Sequence, residues 1–172
     1  RRQLTAAGVE PDRVRVVPNP VPTARFGSPP DPGTFRQRHQ LPFRRFVLYL
    51  GKLTPRKGVA ALVRAFAGLD APEVGLVILG NDLGAGRSIR RAIRRAGCGA
   101  RIRMLGPVAG RDRLAALKDA AVVAYPGRDE IFGLVPLEAL LCGTPVVVAD
   151  DSGCGEVVQR LDHVTSDIQE SI

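Results

Sequence analysis

Five short apolar runs alternate with segments of helical periodicity, and this alternation constrains the fold more than any other feature. The runs are rich in Val, Leu and Ile without polar alternation, which is typical of strands buried on both faces. They lie at 46–50, 75–79, 101–105, 122–125 and 146–149, with helical segments at 59–69, 87–96, 111–120 and 134–142. This βαβ succession predicts an α/β fold, a Rossmann-like doubly wound parallel sheet with helices on both sides.

The length of 172 residues, 45% of them hydrophobic, is enough for one domain with a core but not for a second of ordinary size. We therefore expect a single domain over 1–172, with an opening strand at "RVRVVP" (13–18) and a Pro- and Gly-rich connector to about residue 33. The three cysteines form no C-x-x-C pair, which favours neither zinc nor disulfides and suggests a reducing, cytoplasmic setting. The apolar runs are much shorter than the roughly 20 residues of a membrane span.

The formal net charge of +8 favours anionic partners, and phosphate, acidic lipid and nucleic acid all qualify. Five arginines lie in "RSIRRAIRRAG" (87–97), where apolar residues recur at helical spacing. This segment is either a helix with its arginines in water or a face that binds lipid or nucleic acid. Aromatic residues are only 5% and no nucleic-acid-binding motif occurs, so we expect no nucleic acid partner. Peripheral attachment to the inner face of a membrane stays open.

Ligands of such sheets bind beyond the carboxyl ends of the strands. The segments in that position are "GKLTPRKG", "GNDLG", "GPVAG", "PGRDEIFG" and "DDSGCGE", and each contains glycine. The dinucleotide fingerprint G-x-G-x-x-G is absent, because its nearest candidate at 84–89 lacks the third glycine. No segment has the G-x-x-x-x-G-K-[ST] order of a P-loop either.

The stretch "GRDEIFGLVPLEALL" (127–141) places Glu130 and Glu138 around a predicted helix start at 133–136. The first amides of this helix would form an anion site, because free N–H groups and the helix dipole both favour phosphate. Carboxylates accept hydrogen bonds from sugar hydroxyls and repel phosphate. The arrangement therefore suits a nucleotide sugar. On spacing alone an equally good interpretation is one solvated glutamate and one that caps a helix or pairs with an arginine.

The segment "GRDEIFGLVPLEALLCGTPVVVADDSGCGEVV" resembles the glutamate-x7-glutamate region of the large retaining GT-B glycosyltransferase family, which contains bacterial mannosyltransferases and sucrose and glycogen synthases. "VVPNPV", "LYLGKLTPRKGVAALVRAF", "VILG" and "RIRMLGPV" match it further and in the family's order. The resemblance covers roughly residues 4 to 158. It implies the carboxyl-terminal, donor-binding half of a hexosyltransferase that uses a nucleotide-diphosphate sugar.

Site roles follow from this resemblance. Lys52 and Lys57 are similar to the family's basic pair around the donor diphosphate, although arginine is commoner at the position of Lys52. Glu130 matches the glutamate that contacts sugar hydroxyls near the reacting carbon, so the resemblance implies Glu130, Lys57 and Lys52 as catalytic residues. Glu138 matches the glutamate that holds the ribose. The resemblance implies further donor-binding positions. Gly51 would let the chain pass close to the diphosphate, while Arg56 would either assist there or be solvated, and Val108 would either contact the base or be a turn residue. Backbone amides would face sugar and phosphate at Ile131, Phe132, Gly133 and Leu134.

The resemblance also implies transfer with retention of configuration, by front-face attack, with no metal and no other cofactor. Two departures matter. Gly127 replaces the family's common serine, and the tail "QRLDHVTSDIQESI" (159–172) does not match. The family's amino-terminal acceptor domain is missing, so we expect a fragment that binds donor but is inactive alone. The alternatives are a non-catalytic nucleotide-sugar-binding module and, less favoured, a basic nucleic-acid-binding domain.

Overall fold

A computed structural model of the chain describes residues 2–15, 17, 19–128, 130–151 and 153–159. The strands are β1 (Arg45–Leu50), β2 (Val74–Leu79), β3 (Ile102–Gly106), β4 (Val122–Tyr125) and β5 (Val146–Val148). The α-helices are α1 (Arg2–Ala6), α2 (Thr34–Arg38), α3 (Val59–Ala67), α4 (Gly86–Ala96), α5 (Gly110–Asp119), α6 (Leu134–Leu141) and α7 (Gly153–Gln159). Single 3-10 turns lie at Pro11–Arg13, Thr23–Phe26, Pro55–Lys57 and Gly99–Arg101.

The five strands form one parallel sheet in the order β3-β2-β1-β4-β5. The chain winds outward from β1 through β2 to β3, then returns to the centre to continue through β4 and β5. A sheet wound in two directions from its centre is the doubly wound architecture that the sequence predicts. β1 and β4 are neighbours at the point where the direction reverses, with Val47 opposite Val122 and Leu48 opposite Val123.

Two hydrophobic clusters cover the two faces of the sheet. One joins α5, α6, α7 and α2 to one face, with Phe35, Leu48 and Leu117 fully buried. The other packs α3 and α4 against the opposite face around Leu76 and Ile89. All six residues of β2 are buried, which explains why the strand sequences are continuously apolar.

The predicted opening strand is wrong. Residues Pro11–Arg13 form a 3-10 turn, and Val14, Arg15 and Val17 lie outside the sheet. The short helix α2, by contrast, was not predicted. It is tied to the end of α5, because the amides of Gly33 and Phe35 donate to the Asp119 carboxylate at 2.5 and 2.8 Å. Most of the unmatched tail, residues 160–172, lies outside the described part of the chain.

Candidate functional site at the switch point of the sheet

The carboxyl ends of β1 and β4 lie at the switch point of the sheet, where ligands of doubly wound sheets bind because the connections on its two sides run in opposite directions. We call the region between the loops that follow these two strands the crevice. The loop after β1 contains Gly51, Lys52, Arg56 and Lys57. The loop after β4 contains Glu130 and leads into α6. The fold therefore brings two of the sequence segments that the predicted site requires to one place.

The loop after β1 is held on both sides. Leu53 is buried and bonds to the loop after β2, since its amide donates to Asn81 at 2.8 Å and its carbonyl accepts from Leu83 at 3.0 Å. On the other side, Gly58 has φ +69°, and a Cβ there would lie only 2.8 Å from the carbonyl oxygen of Pro126. Glycine at position 58 thus lets the two loops lie against each other.

Lys57 and Glu130 meet directly across the crevice. The Lys57 ammonium donates to Glu130 Oε1 and also to the hydroxyl of Tyr125 at 3.2 Å. That hydroxyl in turn donates to Glu130 Oε2 at 3.2 Å. The Lys57 and Glu130 side chains are only 19% and 11% exposed. Burial alone would lower the pKa of Lys57, but the hydrogen bonds to Glu130 and Tyr125 outweigh it and raise this pKa, so the ammonium stays charged at neutral pH.

A second tyrosine supports this cluster from below. Tyr49 is fully buried and stacks on Tyr125 with ring centroids 6.5 Å apart, and its hydroxyl donates to the carbonyl of Lys52 at 2.9 Å. Burial raises the pKa of both tyrosines, so both hydroxyls remain neutral donors. The side chain of Lys52 is exposed at the mouth of the crevice. Tyr125 is the last residue of β4 and Tyr49 the last but one of β1, a signal that sequence reasoning could have used but missed.

The loop from Glu130 to α6 is packed against the start of α7. The amide of Cys154 donates to the Glu130 carbonyl at 3.0 Å, and a Cβ on Gly153 would lie 2.1 Å from the Ile131 carbonyl oxygen. Gly133 precedes α6 with φ +70°, and a Cβ there would lie 2.5 Å from the Cys154 sulfur. Only glycine fits at positions 133 and 153 without displacing the Glu130 loop.

The amino end of α6 lies beside this cluster. No side chain of the described residues caps it, so the amides of Gly133 and Leu134 are available for an anion. Of the predicted donor-binding residues here, Ile131 is 91% exposed and Leu134 is 42% exposed, while Phe132 is half-buried. Arg56 is exposed, and its carbonyl accepts a hydrogen bond from the Arg128 amide at 3.4 Å.

Glu138 lies further along α6 and is paired with an arginine that the sequence did not single out. Its Oε2 accepts two hydrogen bonds from Arg113 of α5, one of them from Nε at 3.1 Å. The Glu138 side chain is 19% exposed and the Arg113 side chain is 29% exposed. Glu138 therefore lies outside the Lys57 cluster. Its pairing with an arginine is one of the alternatives that the spacing of the two glutamates allows. Val108, just before α5, is partly buried against the core.

Two other properties bear on the class of site. Within the described residues, no three His, Cys, Asp or Glu side chains come together as a metal site would require. None of the helices in the described part of the chain has the length and apolar character that a membrane crossing needs. The functional groups of this site are lysine and arginine side chains, two paired carboxylates, tyrosine hydroxyls and the amides at the start of a helix.

A doubly wound sheet with a charged cluster at its switch point defines a Rossmann-like ligand-binding domain. Residues 33–165 match the family model described as Glycosyl transferases group 1, and the chain belongs to that family. The predicted family resemblance is thereby confirmed, and the chain is a glycosyltransferase domain.

Curated relatives agree. D-inositol 3-phosphate glycosyltransferases of Acidothermus cellulolyticus and Xylanimonas cellulosilytica are 36% and 40% identical to this chain, over 92% and 88% of it. The match covers 38% of each of these relatives, so the chain spans less than two fifths of their length.

Solved structures show the same fold. HepE of Anabaena, solved in complex with UDP and glucose, superposes with a TM-score of 0.79 at 27% identity, over 90% of this chain and 43% of HepE. The C-terminal domain of LpcC, a glycosyl transferase group 1 family protein from Francisella tularensis, superposes with a TM-score of 0.70 over 88% of this chain and 91% of that domain; at 18% identity it shows the fold alone. The predicted fold class, one Rossmann-like half of the GT-B type, is confirmed.

Proposed function

We propose that this chain is the donor-binding domain of a retaining glycosyltransferase that moves a hexose from a nucleotide-diphosphate sugar to an acceptor. The observation that carries the proposal is the contact between Lys57 and Glu130 beside the uncapped amino end of α6. A cation, a carboxylate and free amides at one switch point suit a ligand that combines phosphate with hydroxyls. The structural neighbour HepE, which was solved with UDP and glucose, supports the same ligand class.

In this proposal the diphosphate lies between the lysines and the helix start. Lys57 and Lys52 supply positive charge, and the amides of Gly133 and Leu134 donate to phosphate oxygens. As the glycosidic bond breaks, negative charge grows on the departing diphosphate, and fixed positive charge stabilises it most at that stage. This charge takes the place of a metal ion, so we expect binding and transfer to be insensitive to EDTA.

Glu130 receives the transferred sugar and Glu138 the ribose. A carboxylate in the crevice accepts hydrogen bonds from hydroxyls, and Arg113 holds Glu138 in place from α5. Ile131 and Phe132 belong to the wall beside the sugar through their backbone, Gly51 to the floor of the crevice, and Val108 to the side that meets the base. Arg56 is exposed next to Lys57 and adds positive charge at the mouth.

The pairing of Lys57 with Glu130 has a consequence for binding. Without ligand, each charge is compensated by the other, so an incoming diphosphate competes with Glu130 for the Lys57 ammonium. A sugar hydroxyl that donates to Glu130 compensates the carboxylate when Lys57 turns to phosphate. A complete nucleotide sugar therefore satisfies both side chains, whereas a bare nucleoside diphosphate leaves Glu130 next to its own negative charge.

Calorimetry with UDP, GDP, ADP and their hexose conjugates tests this proposal. Glu130→Gln should bind the preferred bare diphosphate about tenfold more tightly than the wild type, because one repulsive charge is gone, and should lose the extra affinity for the sugar conjugate. Lys57→Met should weaken diphosphate binding about tenfold or more but leave nucleoside binding unchanged. Glu138→Ala should weaken nucleoside and diphosphate by the same factor.

Asp70→Asn is the matched control, since this exposed carboxylate lies at the amino edge of the sheet, away from the crevice. It should bind every ligand as the wild type does. If no nucleoside diphosphate or conjugate binds at millimolar concentration, the donor-binding role is wrong. Glycosyl transfer by a chain that also contains an acceptor domain would show that this domain belongs to a catalytic unit. Donor binding without transfer would favour a non-catalytic binding module.

A further inference from the structure

Helix α4 carries five arginines and no acidic residue. Its buried side is formed by Ile89 and Ala92, so the arginines project from the remaining surface. Arg87, Arg91 and Arg95 follow one another at every fourth position and form a row about 12 Å long. Like charges at this spacing repel each other and lower helix stability.

This row lines a recess between α3 and α4 with a volume of about 590 Å³. Arg64 of α3 lines it from the opposite side, so arginines of two helices face one space. Small side chains, including Ala60, Ser88 and Ala92, form the rest of the lining. None of the residues predicted for the donor site contributes to it, so the recess is separate from the crevice at the switch point.

Among the described residues, the four arginines of the recess have no acidic partner. None of the salt bridges between described residues involves Arg64, Arg87, Arg91 or Arg95. Asp82, at the start of α4, pairs instead with Arg90 at 3.7 Å and accepts from the amides of Gly84 and Gly86. The described part of the chain thus has four guanidinium groups without a salt-bridge partner around a concave space.

We propose that this recess binds a soluble polyphosphate, meaning a small anion with at least three linked or clustered phosphate groups. Guanidinium groups bind phosphate through two parallel hydrogen bonds, and a row of them matches a row of phosphates. Repulsion along α4 falls when an anion lies between the arginines. The small lining residues leave room for phosphates to reach the guanidinium groups of both helices.

Two other polyanions fit the recess less well. Among the described residues that line it there is no aromatic side chain on which a nucleic acid base would stack. None of the described residues that line the recess has a large aliphatic side chain to enter a bilayer, and a flat membrane would contact the rims of the recess rather than its floor.

The test is calorimetry of the folded chain with inorganic tripolyphosphate at about 0.1 M salt, where contacts between exposed charges at long range are screened. Arg91→Gln/Arg95→Gln should weaken binding by about tenfold or more, and Arg64→Gln on the facing helix should weaken it as well. Arg90→Gln/Arg94→Gln is the matched control. It removes the same charge at the same spacing from the same helix, but both residues lie outside the recess. The control should therefore weaken tripolyphosphate binding by less than about threefold.

Lys57→Met separates this site from the donor crevice and should bind tripolyphosphate as the wild type does. Equal losses in the two double variants would show general charge attraction and overturn the proposal. So would loss of binding in Lys57→Met alone, or absence of tripolyphosphate binding to the wild type. Recovery of the chain only with phosphatidylglycerol vesicles, or only with single-stranded RNA, would replace the proposal with a membrane or nucleic acid surface.

Discussion

Breaking the contact between Lys57 and Glu130 should destabilise the fold in a strongly non-additive way. Both side chains are mostly buried, so Lys57→Met leaves the Glu130 carboxylate with Tyr125 as its remaining side-chain partner, at a cost of about 3 kcal/mol. Glu130→Gln leaves an unpaired ammonium and should cost about 2 kcal/mol. In Lys57→Met/Glu130→Gln neither charge remains, and the loss should again be about 2 kcal/mol. The coupling energy is then about 3 kcal/mol.

Urea unfolding measures these values, provided that the m-value stays constant across the four proteins. The coupling should fall only slightly in high salt, because a buried pair is poorly screened. Arg128 and Asp151 supply the control cycle, since they are 4.0 Å apart and their side chains are 83% and 44% exposed. Arg128→Gln and Asp151→Asn should couple by less than about 0.5 kcal/mol. Additivity within about 0.5 kcal/mol at Lys57 and Glu130 would refute the pairing.

The same cycle has a defined pH dependence. The pKa of Lys57 is raised in the folded chain, so its contribution to stability is fully present below the unfolded-state pKa of about 10.4. It is lost as the pH rises through the folded-state pKa. The free-energy difference between wild type and Lys57→Met should therefore stay flat around neutral pH and shrink above about pH 10.4. A difference that already shrinks near neutral pH would contradict the raised pKa.

Two further predictions concern the core. Thr144 is buried and its hydroxyl donates to the Leu117 carbonyl at 2.6 Å. Thr144→Val should therefore lower the free energy of unfolding by about 1–2 kcal/mol, and Thr144→Ser, which keeps the hydroxyl, should lower it less. Equal losses of stability in urea unfolding would show that the hydrogen bond contributes nothing. Cys98, Cys142 and Cys154 are buried and free, and burial raises the pKa of Cys154 to about 11. Ellman's reagent should therefore label these thiols only after denaturation, and rapid labelling of the native chain would be inconsistent with that packing.

The sheet and its flanking helices could be predicted because burial dictates their sequence. Strands covered on both faces are continuously apolar, and each of the five lies within about two residues of its predicted position. The wrong opening strand shows the limit of this reasoning. In "RVRVVP" (13–18) the first two valines alternate with arginines as in an edge strand, but alternation does not reveal whether a sheet edge is available for pairing. Helix α2 depends on the distant Asp119 carboxylate, which local periodicity does not encode.

Without the family resemblance, the candidate site could be predicted only as two separate loops. Lys57 follows β1 and Glu130 follows β4, and nothing in either segment says that these strands are neighbours. Their contact results from the strand order. In the sequence Tyr125 is only the last residue of an apolar run, whereas in the structure its hydroxyl bridges Lys57 and Glu130. Gly127, which replaces the family's common serine, is buried, and a Cβ there would lie 3.0 Å from Glu130 Oε1.

The distribution of paired charges changes the meaning of the net charge of +8. At the donor crevice Lys57 is paired with Glu130, and Arg113 near α6 is paired with Glu138, so neither pair adds net charge at this edge. The recess between α3 and α4 contains four arginines that form no salt bridge with another described residue. A ligand for the crevice must therefore exchange partners with existing ion pairs, which favours molecules that bring both phosphate and hydroxyls. A ligand for the recess meets arginines that form no salt bridge with another described residue, so it needs only negative charge of matching spacing.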